Sequence, residues 1–168
     1  MRADRATLYF MCGKMAAGKS THAKVLAQTQ HAVLLVQDDL LASLYPGEIL
    51  TIPDFVKYSA RLREALTPHI TALLKQGISV VLDFPGNTRI QRQWFRALFE
   101  AANVDHELHH IDTPDELCKR QLKQRSATLP EGSAWTTDAE FEAITVYFQA
   151  PAEDENFRVI RHERGQQP

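Results

Sequence analysis

Apolar positions along the chain follow two rhythms. Five short runs rich in apolar or β-branched residues read as strands, at 8–12, 32–37, 79–83, 107–112 and 157–160. Between them the apolar residues recur at helical spacing. Thr113-Pro114-Asp115-Glu116 predicts a helix start, with threonine as N-cap, proline in the first turn and glutamate at the capping-box position. Thr137-Asp138-Ala139-Glu140 repeats that logic. Asn87 or Thr88 opens a further helix through Trp94, Phe95, Leu98 and Phe99, whose spacing marks them as core. A long helical stretch starts near Pro53 and closes at Gly77, and Thr67-Pro68 is expected to break or kink it. Strands alternating with helices imply an α/β protein with a parallel sheet covered on both faces. Ligands of such sheets gather at the carboxyl ends of the strands. Four features fall there: a glycine-rich loop, Asp38-Asp39, Asp83 and Asp112.

Composition narrows the class. The 168 residues, 44% of them hydrophobic, suit a single domain spanning 1–168, with no linker or repeat to divide it. Nineteen lysines and arginines against 21 acids leave a formal charge of -2, which argues against a nucleic-acid partner gripped along its backbone. Cys12 and Cys118 are too few for a disulfide framework and lie in core-like segments. No stretch suits a membrane span, and the apolar run near the N-terminus is broken by Lys14 and Lys19. A cytoplasmic location without membrane attachment is expected. His106, His109 and His110 are spaced along one strand in a way that does not converge three nitrogens on a metal, so a surface face is expected for them. His22 reads as a surface or packing residue.

The strongest motif is Gly13-Lys14-Met15-Ala16-Ala17-Gly18-Lys19-Ser20, followed by Thr21. It lies between a strand apolar throughout and a helix, which is the setting a phosphate-binding P-loop requires. Its glycines let the backbone curl so that N–H groups point at phosphate oxygens, and the helix N-terminus adds a positive dipole end. Lys19 is placed to reach the β- and γ-phosphates, and Ser20 to bind magnesium. Lys14, within the loop, reads as solvated.

Carboxylates and arginines extend the pattern. Asp38 at a strand end is the candidate general base and Asp39 the candidate helix cap. Asp83, on the substrate side, is a candidate for holding magnesium through water or for orienting substrate, and Asp38 is the alternative water-mediated metal ligand. Arg120 and Arg125 follow on a helix before a stretch, 126–136, that reads as a mobile flap. Together they suggest a lid at about 113–137 that brings guanidinium groups to the transferring phosphate. Arg89 and Arg92 are candidates to face substrate. Tyr147, Phe148 and Pro151 could border the adenine or pack on the sheet.

Taken together, Gly13–Thr21, Gln37-Asp38-Asp39, the run from Val81 to Thr88 and the run from Glu116 to Arg125 resemble the P-loop kinases related to polynucleotide kinase, zeta toxins and chloramphenicol phosphotransferase. Within that set the chain is similar to a compact bacterial group of AAA-type ATP-binding proteins. The segment from Tyr147 to Glu155 extends the likeness to nearly the whole chain. The resemblance implies a three-layer α/β/α P-loop NTPase with a five-stranded parallel sheet of nucleoside-kinase type and a small helical lid. It also implies ATP and Mg as cofactors, Asp38 as base, Asp83 as the substrate-side acid, and Arg120 and Arg125 as lid arginines. One position departs. Polynucleotide kinases carry an arginine shortly after the base aspartate, and Leu40 and Leu41 stand here, against a polynucleotide 5′-hydroxyl. The expected activity is transfer of the γ-phosphate of ATP to a hydroxyl of a small-molecule or nucleotide-type acceptor. The alternatives are a GTPase-like switch, for which Asp83-Phe84-Pro85-Gly86 supplies Asp-x-x-Gly but no Asn-Lys-x-Asp reads guanine, and a non-catalytic nucleotide-binding protein.

Overall fold

The computed structural model describes residues 5–133 and 135–165. The strands are β1 (Thr7–Cys12), β2 (Val33–Val36), β3 (Val80–Asp83), β4 (Asp105–Asp112) and β5 (Val159–Glu163). They form one parallel sheet in the order β2-β3-β1-β4-β5. β1 is central and its last five residues are buried, as a strand covered on both faces must be. The helices are α1 (Lys19–Thr29), α2 (Gln37–Leu44), α3 (Ile52–Lys75), α4 (Arg89–Ala102), α5 (Asp115–Ser126) and α6 (Asp138–Thr145).

Alternation along β1 divides the core. Tyr9 and Met11 face α1 through Ala23, Leu26 and Ala27, while Leu8, Phe10 and Cys12 face the layer of α3 and α4. Phe10 stacks on Phe95 at 4.5 Å between ring centroids. Phe95 and Phe99 are buried, and the Trp94 indole N–H donates to Thr67 Oγ1 at 2.9 Å, so these aromatics serve the core.

Several local expectations change. α3 runs uninterrupted through Pro68. Leu62, Ile70 and Leu74 bury on the sheet from both sides of the proline, outweighing a penalty of about 3 kcal/mol for proline inside a helix. Thr51 and Asp54 form its capping box. α2 begins at Gln37 behind Val36, so Asp39 is no cap: Asp38 and Asp39 both occupy the first turn, where the helix dipole favours carboxylates. Thr113 does not cap α5 either, whose N-cap is Pro114 without a side-chain bond. Thr137 and Glu140 do form the expected box on α6, and Thr88 caps α4. β4 starts two residues earlier than the apolar run, and β5 lies further on, through Arg161, His162 and Glu163.

The histidines depart furthest from expectation. His109 and His110 are buried, and His106 stacks on Phe99 at 4.0 Å. His22, half-buried on α1, takes the packing role of its two readings, against His109 and His162. Burial, with the neighbouring His162, His109 and Arg164, pushes His22 down to about 4.

Candidate active site

β1 hands the chain directly to α1 through the glycine loop. Ala16 and Gly18 adopt positive φ values of 59° and 105°. Gly18 occupies the N-cap of α1 with no side-chain cap, and no acid stands in the first turn. The opening N–H groups of α1 therefore face the loop as donors at a positive helix end. A side chain at Gly18 would collide with the Arg164 guanidinium, and one at Gly13 would meet the Ile111 carbonyl at 2.9 Å.

The loop is fastened from three other strand ends. Asn87, after β3, accepts from Gly13 N at 2.9 Å. Thr113, after β4, donates through Oγ1 to the Ala17 carbonyl at 2.8 Å, which explains its absence from the helix cap. Arg164, after β5, donates to the same carbonyl at 2.9 Å. Sequence patterns missed these roles, because a threonine or asparagine beside a helix start reads first as a cap and nothing local marks Arg164.

Lys19 folds over its own loop, donating to the carbonyls of Gly13 and, at 3.1 Å, Lys14. Burial lowers its pKa, against the opposing pull of Asp83 and Asp38 nearby. Ser20 Oγ donates to Asp83 Oδ2 at 2.7 Å, so the end of β3 meets the start of α1. Asp38 is open to solvent, yet enough protein surrounds its carboxyl that burial is the first cause raising its pKa. Asp83 raises it further, and Arg125 and Lys19 oppose. Asp38, Asp83, Lys19 and Arg125 thus share one electrostatic neighbourhood, drawn from α2, β3, α1 and α5.

Other candidates lie elsewhere. Arg120 is exposed on α5, five positions from Arg125 and about 140° around the helix from it. Lys14 is not simply solvated: Nζ pairs with Asp115 Oδ1 at 2.6 Å and lies 5.6 Å from the Phe148 ring centroid, leaving its backbone to the loop. Met15 and Ala16 pack against the cluster of Ala17, Ile111, Cys118, Leu122 and Phe141, and Thr21 is exposed on α1. Arg89, expected at the substrate, holds Asp154 with two hydrogen bonds of 3.0 and 2.8 Å. Arg92 is fully buried, paired with both oxygens of Glu155 at 2.8 and 2.9 Å and donating to the carbonyls of Gly86 and Gln149. Both arginines anchor the segment before β5. Asp112 pairs with Arg161 at 3.0 Å, and that bond lowers its pKa. A cavity of about 380 Å³ opens beside it, lined by Lys14, His110, Phe148, Pro151 and Arg161 among others.

The stretch 126–136 is a run of hydrogen-bonded turns in its described residues. Trp135 meets Phe55 edge-on at 6.2 Å. With Ile49, Leu50, Thr51, Ile52 and Glu140 it lines a second cavity of about 230 Å³.

The sheet order and the fastened loop define a three-layer P-loop fold of kinase type. The AAA domain family matches residues 8–154, and the chain belongs to it. Among solved structures it is similar to the APS kinase CysC of Mycobacterium tuberculosis in complex with AMPPNP and APS, at 19% identity and a TM-score of 0.64, covering 97% of this chain and 91% of that one. It is similar to Kti12 of Chaetomium thermophilum in complex with ADP-AlF3, at 15% identity and a TM-score of 0.67, covering 95% and 90%. A gluconokinase from Sinorhizobium meliloti 1021 aligns at 16% identity and a TM-score of 0.60, covering 99% and 86%. None of the curated proteins matches. Among the described residues no helix is long and apolar enough to cross a membrane.

Proposed function

We propose that this protein transfers the γ-phosphate of ATP to a hydroxyl of a small-molecule acceptor. One arrangement supports the reading: at the carboxyl ends of neighbouring strands the phosphate-loop lysine Lys19, Ser20 bonded to Asp83 at 2.7 Å, and Asp38 in the first turn after β2 stand together, with Arg125 near enough to act on the Asp38 carboxyl.

The acceptor hydroxyl attacks the γ-phosphorus while its proton passes to the Asp38 carboxylate. The bond from that phosphorus to the bridging oxygen breaks, and ADP leaves. Lys19, freed from the loop carbonyls, and the α1 N–H groups stabilise the charge on the phosphate oxygens. Arg125 completes the charge stabilisation from α5. Ser20 and Asp83 form an all-oxygen donor set that fits Mg²⁺ and would hold it, with Asp38 alongside through water. When bound, that ion neutralises the β- and γ-phosphate oxygens. The neutral-to-acidic charge and Leu40-Leu41 favour a small acceptor over a nucleic-acid end, and the missing guanine-reading motif favours ATP.

The test is incubation with γ-labelled ATP and a bacterial extract, followed by separation of labelled products. Label in a small-molecule fraction, lost by about 100-fold or more with Lys19→Ala, supports the proposal. Label recovered only as inorganic phosphate, or in RNA, overturns it.

A further inference from the structure

We propose that His22, His109 and His162 form a binding site for one divalent transition-metal ion of the zinc class, with Glu107 orienting the central histidine. One ligating nitrogen from each histidine lies within 4.8 Å of the other two. The three come from different elements, α1, β4 and β5, on the face of the sheet that α1 covers. His109 Nδ1 is 2.9 Å from His22 Nε2 and also 2.9 Å from His162 Nε2.

Hydrogen bonding alone satisfies this cluster poorly. The other nitrogen of His109, Nε2, is 3.0 Å from Glu107 Oε2. A proton on Nε2 donated to that carboxylate leaves Nδ1 with one lone pair, facing two imidazole nitrogens at once. A single lone pair takes one linear hydrogen bond, so one of the two short contacts goes without. A cation between the three rings accepts all three lone pairs. Zinc–nitrogen bonds of about 2.0–2.1 Å at tetrahedral angles separate the nitrogens by about 3.4 Å. Opening the two 2.9 Å contacts of His109 by about 0.5 Å, through small ring rotations, reaches that spacing for those pairs, and the His22 and His162 nitrogens already lie within 4.8 Å of one another.

The carboxylate behind His109 is a second, independent sign. A ligating histidine usually gives its remaining N–H to a carboxylate or carbonyl, which fixes tautomer and ring direction. Three imidazoles with a water in the fourth position suit zinc, and also cobalt, nickel or copper of the same ligand preference. An ion here ties α1 to β4 and β5. It also steadies Arg164, two residues beyond His162, against the Ala17 carbonyl of the phosphate loop. The site is separate from Ser20 and Asp83, whose oxygen donors suit magnesium.

The test is titration of the full chain, stripped with chelator, with Co²⁺ and then Zn²⁺ at neutral pH. Expected are one Co²⁺ per chain with the visible absorption of a four-coordinate centre, displacement by Zn²⁺, and a rise in melting temperature reversed by EDTA. His22→Gln, His109→Gln and His162→Gln should each weaken binding by about 100-fold or more, and Glu107→Gln by about 10–100-fold. The double variant His31→Gln with His69→Gln, altering exposed histidines elsewhere, should bind as the parent does. If His109→Gln fails to fold, the half-buried His22 and His162 carry the decision. Absence of binding, binding unchanged in both of those variants, or binding lost in the His31/His69 control overturns the site.

Discussion

At the scale of single residues, Asp38 is asked to do two opposed things. In the proposed transfer its charge takes up the acceptor's proton, but burial and Asp83 make that charge costly in the folded state. A carboxyl whose folded pKa lies above its unfolded one binds its proton more tightly when folded. Stability from this group is therefore fully present below the unfolded value and declines as pH rises through the folded one. At neutral pH the ionised carboxylate is a net load on the fold. Asp38→Asn should lower acceptor phosphorylation by about 10²–10⁴-fold, with a melting temperature at pH 7 equal to or above that of the parent. The parent's kcat/KM should rise with pH through the raised pKa of Asp38. Radiometric assay and calorimetry on the same preparations check this, and a variant both active and destabilised would remove Asp38 from the base's role. Cys12, beneath the loop, makes a contrast: burial pushes its thiol up to about 11, so it is a packing residue rather than a nucleophile.

At the scale of elements, the helix starts were legible where the cap is local and misread where a tertiary partner claims the same side chain. Thr137 and Glu140 sit three positions apart and satisfy one another, so four residues of sequence suffice. Thr113 carries an equally good local signal, but its hydroxyl is drawn to Ala17, far away in sequence. Arg89 and Arg92 looked like substrate residues for the same reason: a strand-end helix with arginines says nothing about Asp154 and Glu155, which lie beyond α6. The Arg92–Glu155 pair has the sharper consequence. Burial alone would raise the Glu155 pKa, yet the Arg92 hydrogen bonds and the Ala152 N–H outweigh it and hold the carboxyl below its usual range. A depressed acid contributes stability that is present above the unfolded pKa and lost as pH falls through the folded one. Glu155→Gln leaves a buried guanidinium without its counter-charge, a loss of about 3–5 kcal/mol. At about 2–4 °C per kcal/mol for a domain of this size, the melting temperature at pH 7 should fall by roughly 6–20 °C. The deficit should shrink on acidification below the pKa of Glu155. A melting curve at several pH values shows this, and a deficit constant with pH would mean packing, not charge, links the segment before β5 to α4.

At the scale of the molecule, the alternation of five apolar runs with helical segments was enough to foresee a parallel sheet, and the Gly13–Ser20 motif to foresee a phosphate loop; that β1 and its loop lie at the centre emerges only from the strand order. Parallel strands buried on both faces advertise themselves as continuous apolar runs, and β1 and β3 do so. β5 is an edge strand with alternating exposure, so its polar half was missed, and with it His162 and Arg164. Convergence of His22, His109 and His162 depends on strand order, which spacing along one strand does not encode. That order also bears on how the protein answers its ligand. The phosphate loop is held by Asn87 after β3, Thr113 after β4 and Arg164 after β5. Nucleotide bound there therefore loads the whole sheet, not one loop, and should raise a single cooperative transition. At a hundred times Kd the gain is about 2.7 kcal/mol. At about 2–4 °C per kcal/mol, a melting-temperature rise of roughly 5–11 °C is expected with ATP and Mg²⁺. GTP should give a smaller rise, since no motif reads guanine. Gly18→Ala should abolish the rise, because the methyl group meets Arg164 and the residue sits at a φ of 105°. Thermal melts with each nucleotide, on the parent and this variant, decide the matter. A nucleotide that protects Gly18→Ala as well as the parent would place the binding site away from the loop, and equal protection by GTP would remove the preference for adenine.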